Sequence, residues 1–260
     1  MAAMTTNEIL DLYDQYERRG ADFPGYRRDE TARTLRMVND EPDGHNCLVY
    51  SRLDEAGADA AIEEELAFFR GLGRKFEWKL YSHDRPSDLK ERLAAHGFSI
   101  GEDEAIMALE LADLPEVLAA KHPHDVRKVV DEAGLADYAA VDALTWPENH
   151  EQYMKELVKT FHEEPERMSM WLVYVDGVPV CSARIDFPEK SPFASLWGGS
   201  TLEAYRKRGV YTAILSARAQ EAIARGYRFL TIDASPMSRP IVTRHGFRLL
   251  SISNPCDSPA

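Results

Sequence analysis

One stretch of the chain is written twice. Trp78 to Phe98, WKLYSHDRPSDLKERLAAHGF, lies over Tyr227 to Phe247, YRFLTIDASPMSRPIVTRHGF, at a constant offset of 149 residues. In each copy an aromatic residue opens a run with strand character, an aspartate (Asp84, Asp233) closes it, and His-Gly-Phe follows after 11 intervening residues. A repeated β-α-β piece calls for two units of similar fold, the alternative being a chance likeness between two unrelated pieces. The 260 residues suffice for two domains of ordinary size. The expected division is 1–120 and 121–260, joined near ADLPEVLAAKHPH, Ala112 to His124.

Each half reads as mixed α/β. In the second, helical stretches around Gly134 to Trp146 and Glu151 to His162 precede the run MWLVYV, Met170 to Val175. Asp176-Gly177 is a hairpin signal between that run and Val178 to Phe187. Ser191 to Thr201 reads as a third strand, interrupted at Gly198-Gly199 by a bulge or a close backbone approach. A helix from Tyr211 to Arg225, a strand from Phe229 to Ser235, a short helix and the strand FRLLSI follow. The tail SNPCDSPA is expected to be disordered. The first half offers a helix from Asn7 to Arg19, a strand CLVYSRL and a helix AIEEELAFFRGLG before its copy of the repeat.

Charge is unevenly divided. Residues 1–120 hold 26 acidic and 14 basic side chains, whereas 121–260 hold 18 and 17. That balance argues against nucleic acid and anionic membrane as partners, since both demand a basic face, and favours a cationic substrate such as an amine. No apolar run reaches the roughly 18 to 20 residues of a membrane span, and the start MAAMTTNEILDLY has neither a basic nor an apolar leader region, so a cytoplasmic protein is expected. Cys47, Cys181 and Cys256 form no C-x-x-C pair, and the histidines form no H-E-x-x-H, so neither a disulfide framework nor a metal site is expected.

Against this acidic background, Arg206-Lys207-Arg208-Gly209 places three cations at the mouth of a helix, with no Asp or Glu between Ala204 and Ala217. The first N–H groups of a helix lack intrahelical acceptors, and the macrodipole adds positive charge there. Glycine lets a phosphate approach the backbone. The junction therefore suits a phosphate or pyrophosphate, although a solvated basic loop has the same composition. Neither a Walker A loop nor a G-x-G-x-x-G fingerprint is present.

These residues resemble the GNAT N-acyltransferase superfamily, whose acyl-CoA loop follows [Q/R]-x-x-G-x-[G/A]. Arg206-Lys207-Arg208-Gly209-Val210-Tyr211 fits apart from Tyr211 in the last place, and the later strand, short helix and Gly-Phe look like FLTIDASPMSRPIVTRHGF. The resemblance covers 121–260 well and 1–120 as a degenerate copy. It implies an α/β (α+β) fold of two GNAT-like domains, each a mixed, mostly antiparallel sheet flanked by helices. It further implies that acetyl-CoA, as co-substrate, lies in a V-shaped opening between the strands Ser191 to Thr201 and Phe229 to Ser235. Backbone near Gly199, Ser200 and Thr201 would pair with pantetheine, N–H groups from Arg208 through Gly209, Val210 and Tyr211 to Thr212 would hold the pyrophosphate together with Arg206 and Lys207, and Ser235 would stand near the pantetheine.

Acetyl transfer to an amine needs a proton acceptor, an oxyanion donor and a proton for the departing thiolate. A backbone N–H near Gly198 to Ser200 suits the oxyanion. The family's usual glutamate on the strand Ser191 to Thr201 is missing, and Val242 stands where a tyrosine is common. Asp186 and Glu189 are candidate bases acting through water, against a reading of both as solvated turn residues. Ser235 or Ser238 is a candidate acid, against a helix cap before Pro236. Asp233 reads equally as a base or a strand-end cap, and Trp197 as a wall of the acceptor pocket or core. The expected function is acetyl-CoA-dependent N-acetylation of a primary amine on a small molecule or peptide. The alternatives are a non-catalytic CoA-binding scaffold and a mycothiol synthase-like enzyme. The sequence leaves the oligomeric state open.

Overall fold

A computed structural model describes residues 4–145 and 150–259, so Trp146, the expected end of one helix, lies outside the described residues. Contacts divide the chain into two units that are not consecutive halves. Unit 1 comprises residues 1–107, 234–240 and 249–260, and unit 2 comprises 108–233 and 241–248.

Unit 1 opens with α1 (Thr6–Tyr13), whose Thr5 and Glu8 form a reciprocal capping box, and continues as a π-helical turn over Asp14–Arg18. Next come β1 (Tyr26–Glu30), β2 (Thr34–Asn39), β3 (Cys47–Ser51), α2 (Ala58–Gly71), β4 (Glu77–Tyr81), α3 (Leu89–Ala95), the short β5 (Ser99–Ile100) and β6 (Glu104–Glu110), which crosses the division. β1 and β2 were not legible in the sequence, because YRRDE carries no apolar alternation and β2 is buried along its whole length. In α2 the buried residues Ala58, Ala61, Ile62, Glu65 and Phe69 recur at helical spacing and set one face onto the sheet. Phe69 stacks on Phe76 at 4.3 Å in a core that also holds Trp78, Phe98 and Leu93.

Unit 2 holds α4 (Glu116–Ala119), β7 (Asp125–Lys128), α5 (Glu132–Thr145), α6 (His150–Glu163), β8 (Met168–Val175), β9 (Val178–Asp186), β10 (Phe193–Thr201), α7 (Val210–Ala224) and β11 (Phe229–Ala234). α8 (Arg239–Arg244) follows. The strands run β7-β8-β9-β10-β11, antiparallel except for the parallel pair β10 and β11. The β8–β9 hairpin turns on Asp176 and Gly177, both left-handed at φ 51° and 79°, as the Asp-Gly signal requires. The two faces of the sheet have separate cores. Met168, Met170 and Leu172 meet Leu135, Tyr138 and Leu157 of α5 and α6, while Val173, Cys181 and Ala183 meet Val210 and Ile214 of α7.

The tail corrects the sequence reading. β12 (Arg248–Asp257) continues through the segment expected to be disordered, pairing antiparallel with β4 from Ser253↔Tyr81 to Asp257↔Glu77. Ser258 then exchanges two hydrogen bonds with Phe76, at 2.9 and 3.1 Å. Its polar composition hides one core residue: Cys256 is fully buried among the unit 1 aromatics. Burial pushes the Cys256 and Cys47 thiols up to about 12 and Cys181 to about 11, so all three stay protonated and unreactive at neutral pH.

Unit 1 also contains one parallel pair, β3 with β4, and its ladder stops after Leu48↔Trp78. Arg18 occupies the position beyond. Its Nε donates to the Val49 carbonyl on β3 (3.3 Å), one terminal nitrogen to Asp84 just after β4 (2.6 Å), and another to Asp14 (2.9 Å). Its guanidinium lies 3.8 Å from the Tyr81 ring centroid. Burial by itself would raise the Asp14 carboxyl, but the His83 hydrogen bond and the Arg18 charge outweigh it and hold the group below its ordinary value. The stabilisation from Asp14 is therefore present above the ordinary aspartate pKa and is lost as pH falls through the lowered one.

Arg18→Met should destabilise the protein by about 3–5 kcal/mol, because Asp84 is left buried without its cation. Urea denaturation reads this directly, and Arg18→Met with Asp84→Asn should recover part of the loss. An unchanged midpoint in Arg18→Met would show that the pair carries no stability.

Candidate functional site

The expected bulge lies on β10. In the ladder with β9, Ser195 faces Asp186, Leu196 faces Ile185 and Trp197 faces Arg184, after which Ser200 faces Ser182. Gly198 and Gly199 thus oppose the single residue Ala183. Gly198 is left-handed at φ 57°, which a glycine takes without cost. The parallel ladder of β10 with β11 runs from Phe193↔Phe229 to Leu196↔Ile232 and stops immediately before the bulge. From Trp197 onward β10 is paired on the β9 side alone, and backbone groups of Gly199 to Thr201 face the parting.

Two sets of side chains meet the bulge, one on each face. A Cβ at Gly198 would lie 3.1 Å from the hydroxyls of both Tyr138 on α5 and Tyr153 on α6. A Cβ at Gly199 would lie 3.1 Å from Cε2 of Tyr211 on α7. The glycines are therefore required by close approach as well as by conformation. Burial raises the phenol pKa of all three tyrosines against the opposing pull of Arg184 on Tyr153 and of Arg218 on Tyr211, so each stays a hydroxyl donor at neutral pH. Sequence reasoning missed Tyr138 and Tyr153, which lie 60 and 45 residues before Gly198 and carry no motif.

At the mouth of α7, Gly209 is the N-cap at φ 78°, with no side-chain cap and no acidic residue in the first turn. The first helical bond is Ala213 N–H to the Gly209 carbonyl. The N–H groups of Lys207 to Thr212 meet no acceptor among the described residues. Arg206, Lys207 and Arg208 are exposed around them, with Arg206 tied to the Thr201 carbonyl (3.1 Å) and Arg208 5.4 Å from the Tyr205 ring. Two histidines missed by the sequence reading stand here. His124 Nε2 is 3.3 Å from a Cβ placed on Gly209. His245 bonds Thr212 Oγ1 through Nε2 (3.0 Å) and the Ile241 carbonyl through Nδ1 (2.8 Å). A carbonyl only accepts, so Nδ1 donates its proton to the Ile241 carbonyl, and Nε2 is left for the Thr212 hydroxyl. Uncapped donors, surrounding cations and a glycine that keeps the approach open fit a pyrophosphate.

The remaining sequence candidates are dispersed. Asp186 shares the α5/α6 face and pairs with Arg184 at 2.9 Å. Burial raises its carboxyl pKa, against the charges of Arg184 and Arg167. Glu189 is exposed in the turn before Phe193, about 17 Å along the strand from the bulge at ~3.3 Å per residue. Ser235 and Ser238 lie in unit 1 and bond one another, with Ser235 Oγ also taking the Ser238 N–H, as a turn cap does. Val242 is fully buried, and Trp197 is 40% exposed, which rules out the core reading of it.

Comparison with known proteins places this geometry. A family model described as "Acetyltransferase (GNAT) family" matches residues 137–247. A GCN5-related N-acetyltransferase from Kribbella flavida shares the fold over 100% of this chain and 97% of its own, with 18% identity and a TM-score of 0.72. One from Sphaerobacter thermophilus covers 97% and 85%, with 15% identity and a TM-score of 0.64. A tandem GNAT protein from the clavulanic acid biosynthesis pathway covers 98% and 96%, with 12% identity and a TM-score of 0.62. No curated protein sequence matches the chain. At such identities the solved structures speak for the fold, while the family model speaks for the stretch that contains the bulge, α7 and the parted strands. Residues 137–247 thus match the acetyltransferase (GNAT) family model, and the chain as a whole shares the fold of these solved structures.

Proposed function

We propose that this protein transfers the acetyl group of acetyl-CoA to a primary amine. The observation that carries the reading is the alignment of two features in unit 2: an uncapped, cation-ringed helix mouth at Gly209 and a glycine bulge at Gly198-Gly199 where two parallel strands part. The first suits the pyrophosphate of CoA, and the second opens the β10 edge, with Gly199 beyond the end of the β11 ladder, toward pantetheine. The domain from 121 to 260 would bind the co-substrate. The 1–120 region would not, because Arg18 fills the corresponding parting between β3 and β4.

In the reaction the amine nitrogen bonds the thioester carbon, the C–S bond breaks, the amine gives up a proton and the thiolate takes one. The chain's part is to hold reactants together and to stabilise the oxyanion. A bulge N–H from Gly198 to Ser200 supplies the oxyanion donor. The Tyr138 and Tyr153 hydroxyls, converging on Gly198, keep protons beside it. Asp186 faces Ser195, three residues before Gly198, so it accepts the amine proton through water and not by direct contact. Ser235 and Ser238 spend their hydroxyls on the turn that precedes α8, which fits the capping reading of these two residues.

Release of free thiol on mixing the full chain with acetyl-CoA and primary amines tests the reaction, and its absence with every amine while CoA still binds would leave a CoA-binding scaffold. Gly209→Glu should weaken CoA binding more than tenfold in calorimetry, equivalent to about 1.4 kcal/mol or more, with the fold retained. Unchanged affinity would remove the pyrophosphate from the α7 mouth.

Gly198→Ala should lower turnover by at least tenfold, since the new methyl meets two hydroxyls and the left-handed backbone costs of order 1–3 kcal/mol. Adding Tyr153→Phe to that variant removes one of the clashes and should restore part of the rate. No effect of Gly198→Ala on kcat would detach the bulge from the chemistry.

A further inference from the structure

Arg184 stands beside the bulge and is not used by the acetyl-transfer reading. It faces Trp197 across the ladder, one residue before Gly198, and Met170 on the other side, which puts it on the α5/α6 face. Its guanidinium is 5.8 Å from the Tyr153 ring centroid and 5.9 Å from that of Trp197, and its side chain is 15% exposed. Asp186 Oδ1 sits 2.9 Å from its Nε. Among the described residues nothing accepts from its two terminal nitrogens. The guanidinium is thus enclosed on its Nε side beside Asp186, and its two terminal nitrogens remain as donors without a protein acceptor, on which an oxyanion can dock.

The faces of the bulge divide the labour. The helix mouth for pyrophosphate belongs to α7, whose Tyr211 abuts Gly199, while Tyr138, Tyr153, Trp197 and Arg184 gather on the α5/α6 side at Gly198. The acceptor amine enters from that second side. We propose that the acceptor is an amine with a carboxylate close to its nitrogen, as in an α-amino acid, and that Arg184 holds the carboxylate by its two terminal nitrogens; this rests on the acetyl-transfer reading above. The planar fork of arginine matches a carboxylate in two parallel hydrogen bonds. Asp186 is a positioning residue that ion-pairs with the guanidinium on its Nε side and leaves the terminal nitrogens for the acceptor. Trp197, 40% exposed beside this edge, gives the acceptor's side chain a flat surface. An acceptor bearing amines alone would set an ammonium against the guanidinium, so the cationic substrate suggested by overall charge is disfavoured at the site itself.

The test compares amino acids with their own decarboxylated amines, using the full chain: phenylalanine with phenethylamine, tryptophan with tryptamine, histidine with histamine. Calorimetry on the CoA-loaded protein and thiol release give binding and kcat/KM for each. At least one amino acid should exceed its amine by tenfold or more in kcat/KM. Arg184→Gln should erase that advantage through KM, with CoA affinity unchanged, and Arg184→Lys should restore it incompletely because a point charge lacks the fork. Amines equal to or better than amino acids in all three pairs would overturn the inference, even if Arg184→Gln fails to fold. So would an unchanged ratio in folded Arg184→Gln, or CoA binding with no amino acid bound. If CoA itself does not bind and no thiol is released with any partner, the acetyl-transfer reading fails first and this inference falls with it.

Discussion

Each unit is organised by one parallel strand pair that holds for a few residues and then lets go. Antiparallel strands surround it, and a parallel pair exchanges evenly spaced, slanted bonds that end without a turn to close them. Where the pairing ends, backbone donors and acceptors on one strand lose their neighbour while still enclosed by helices. Those groups cannot stay unmatched at low cost. Each unit must therefore bring something into the parting, and the choice of that group decides what the unit does.

Unit 1 answers with its own side chain. Arg18 reaches the Val49 carbonyl and the Asp84 carboxylate, and lies on the Tyr81 ring, so the site is satisfied internally. The π-helical turn over Asp14–Arg18 adds the extra residue that aims the arginine inward. Unit 2 has a glycine bulge in the comparable place, and its neighbouring helix begins with a glycine where the backbone donors are uncapped. Glycine at both points removes side-chain bulk and leaves the backbone groups as the functional surface. The parting filled by Arg18 is satisfied within the chain, and on the acetyl-transfer reading the open one receives the co-substrate.

Legibility in the sequence follows the range of the interactions. The bulge, the α7 mouth, the Asp-Gly hairpin and the repeat are local, and each depends on residues that special backbone geometry demands. The mixed α/β character of each half followed from them and the mostly antiparallel sheet from the family resemblance, and the structure bears out both. Long-range features were not legible. Tyr138 and Tyr153 come from separate helices, Arg18 from a segment with no counterpart in the repeat, and the burial of Cys256 depends on a partner strand some 175 residues earlier. Within the tail expected to be disordered, the described residues Ser253 to Pro259 were misread because prolines and polar residues lower mean hydropathy, while a strand needs only every second side chain buried.

The missing glutamate and the valine at position 242 bear on how much chemistry such a site requires from dedicated acids and bases. Holding two reactants in an attack geometry supplies about 7–11 kcal/mol of a barrier, and one preorganised oxyanion donor about 2.7–4 kcal/mol. General acid–base catalysis adds a factor of about 10² to 10⁴, or about 3–5 kcal/mol, comparable to the oxyanion donor and smaller than positioning. On the acetyl-transfer reading, a site built from bulge N–H groups and tyrosine hydroxyls keeps the positioning and oxyanion contributions without a glutamate on β10. On the same reading Asp186, whose carboxyl burial raises against the pull of Arg184, takes the amine proton through water while it orients that arginine. On the acetyl-transfer reading, the chain has placed its investment in the acceptor's position, with Arg184 and Trp197 setting where the amine lies and the bulge setting where the charge develops.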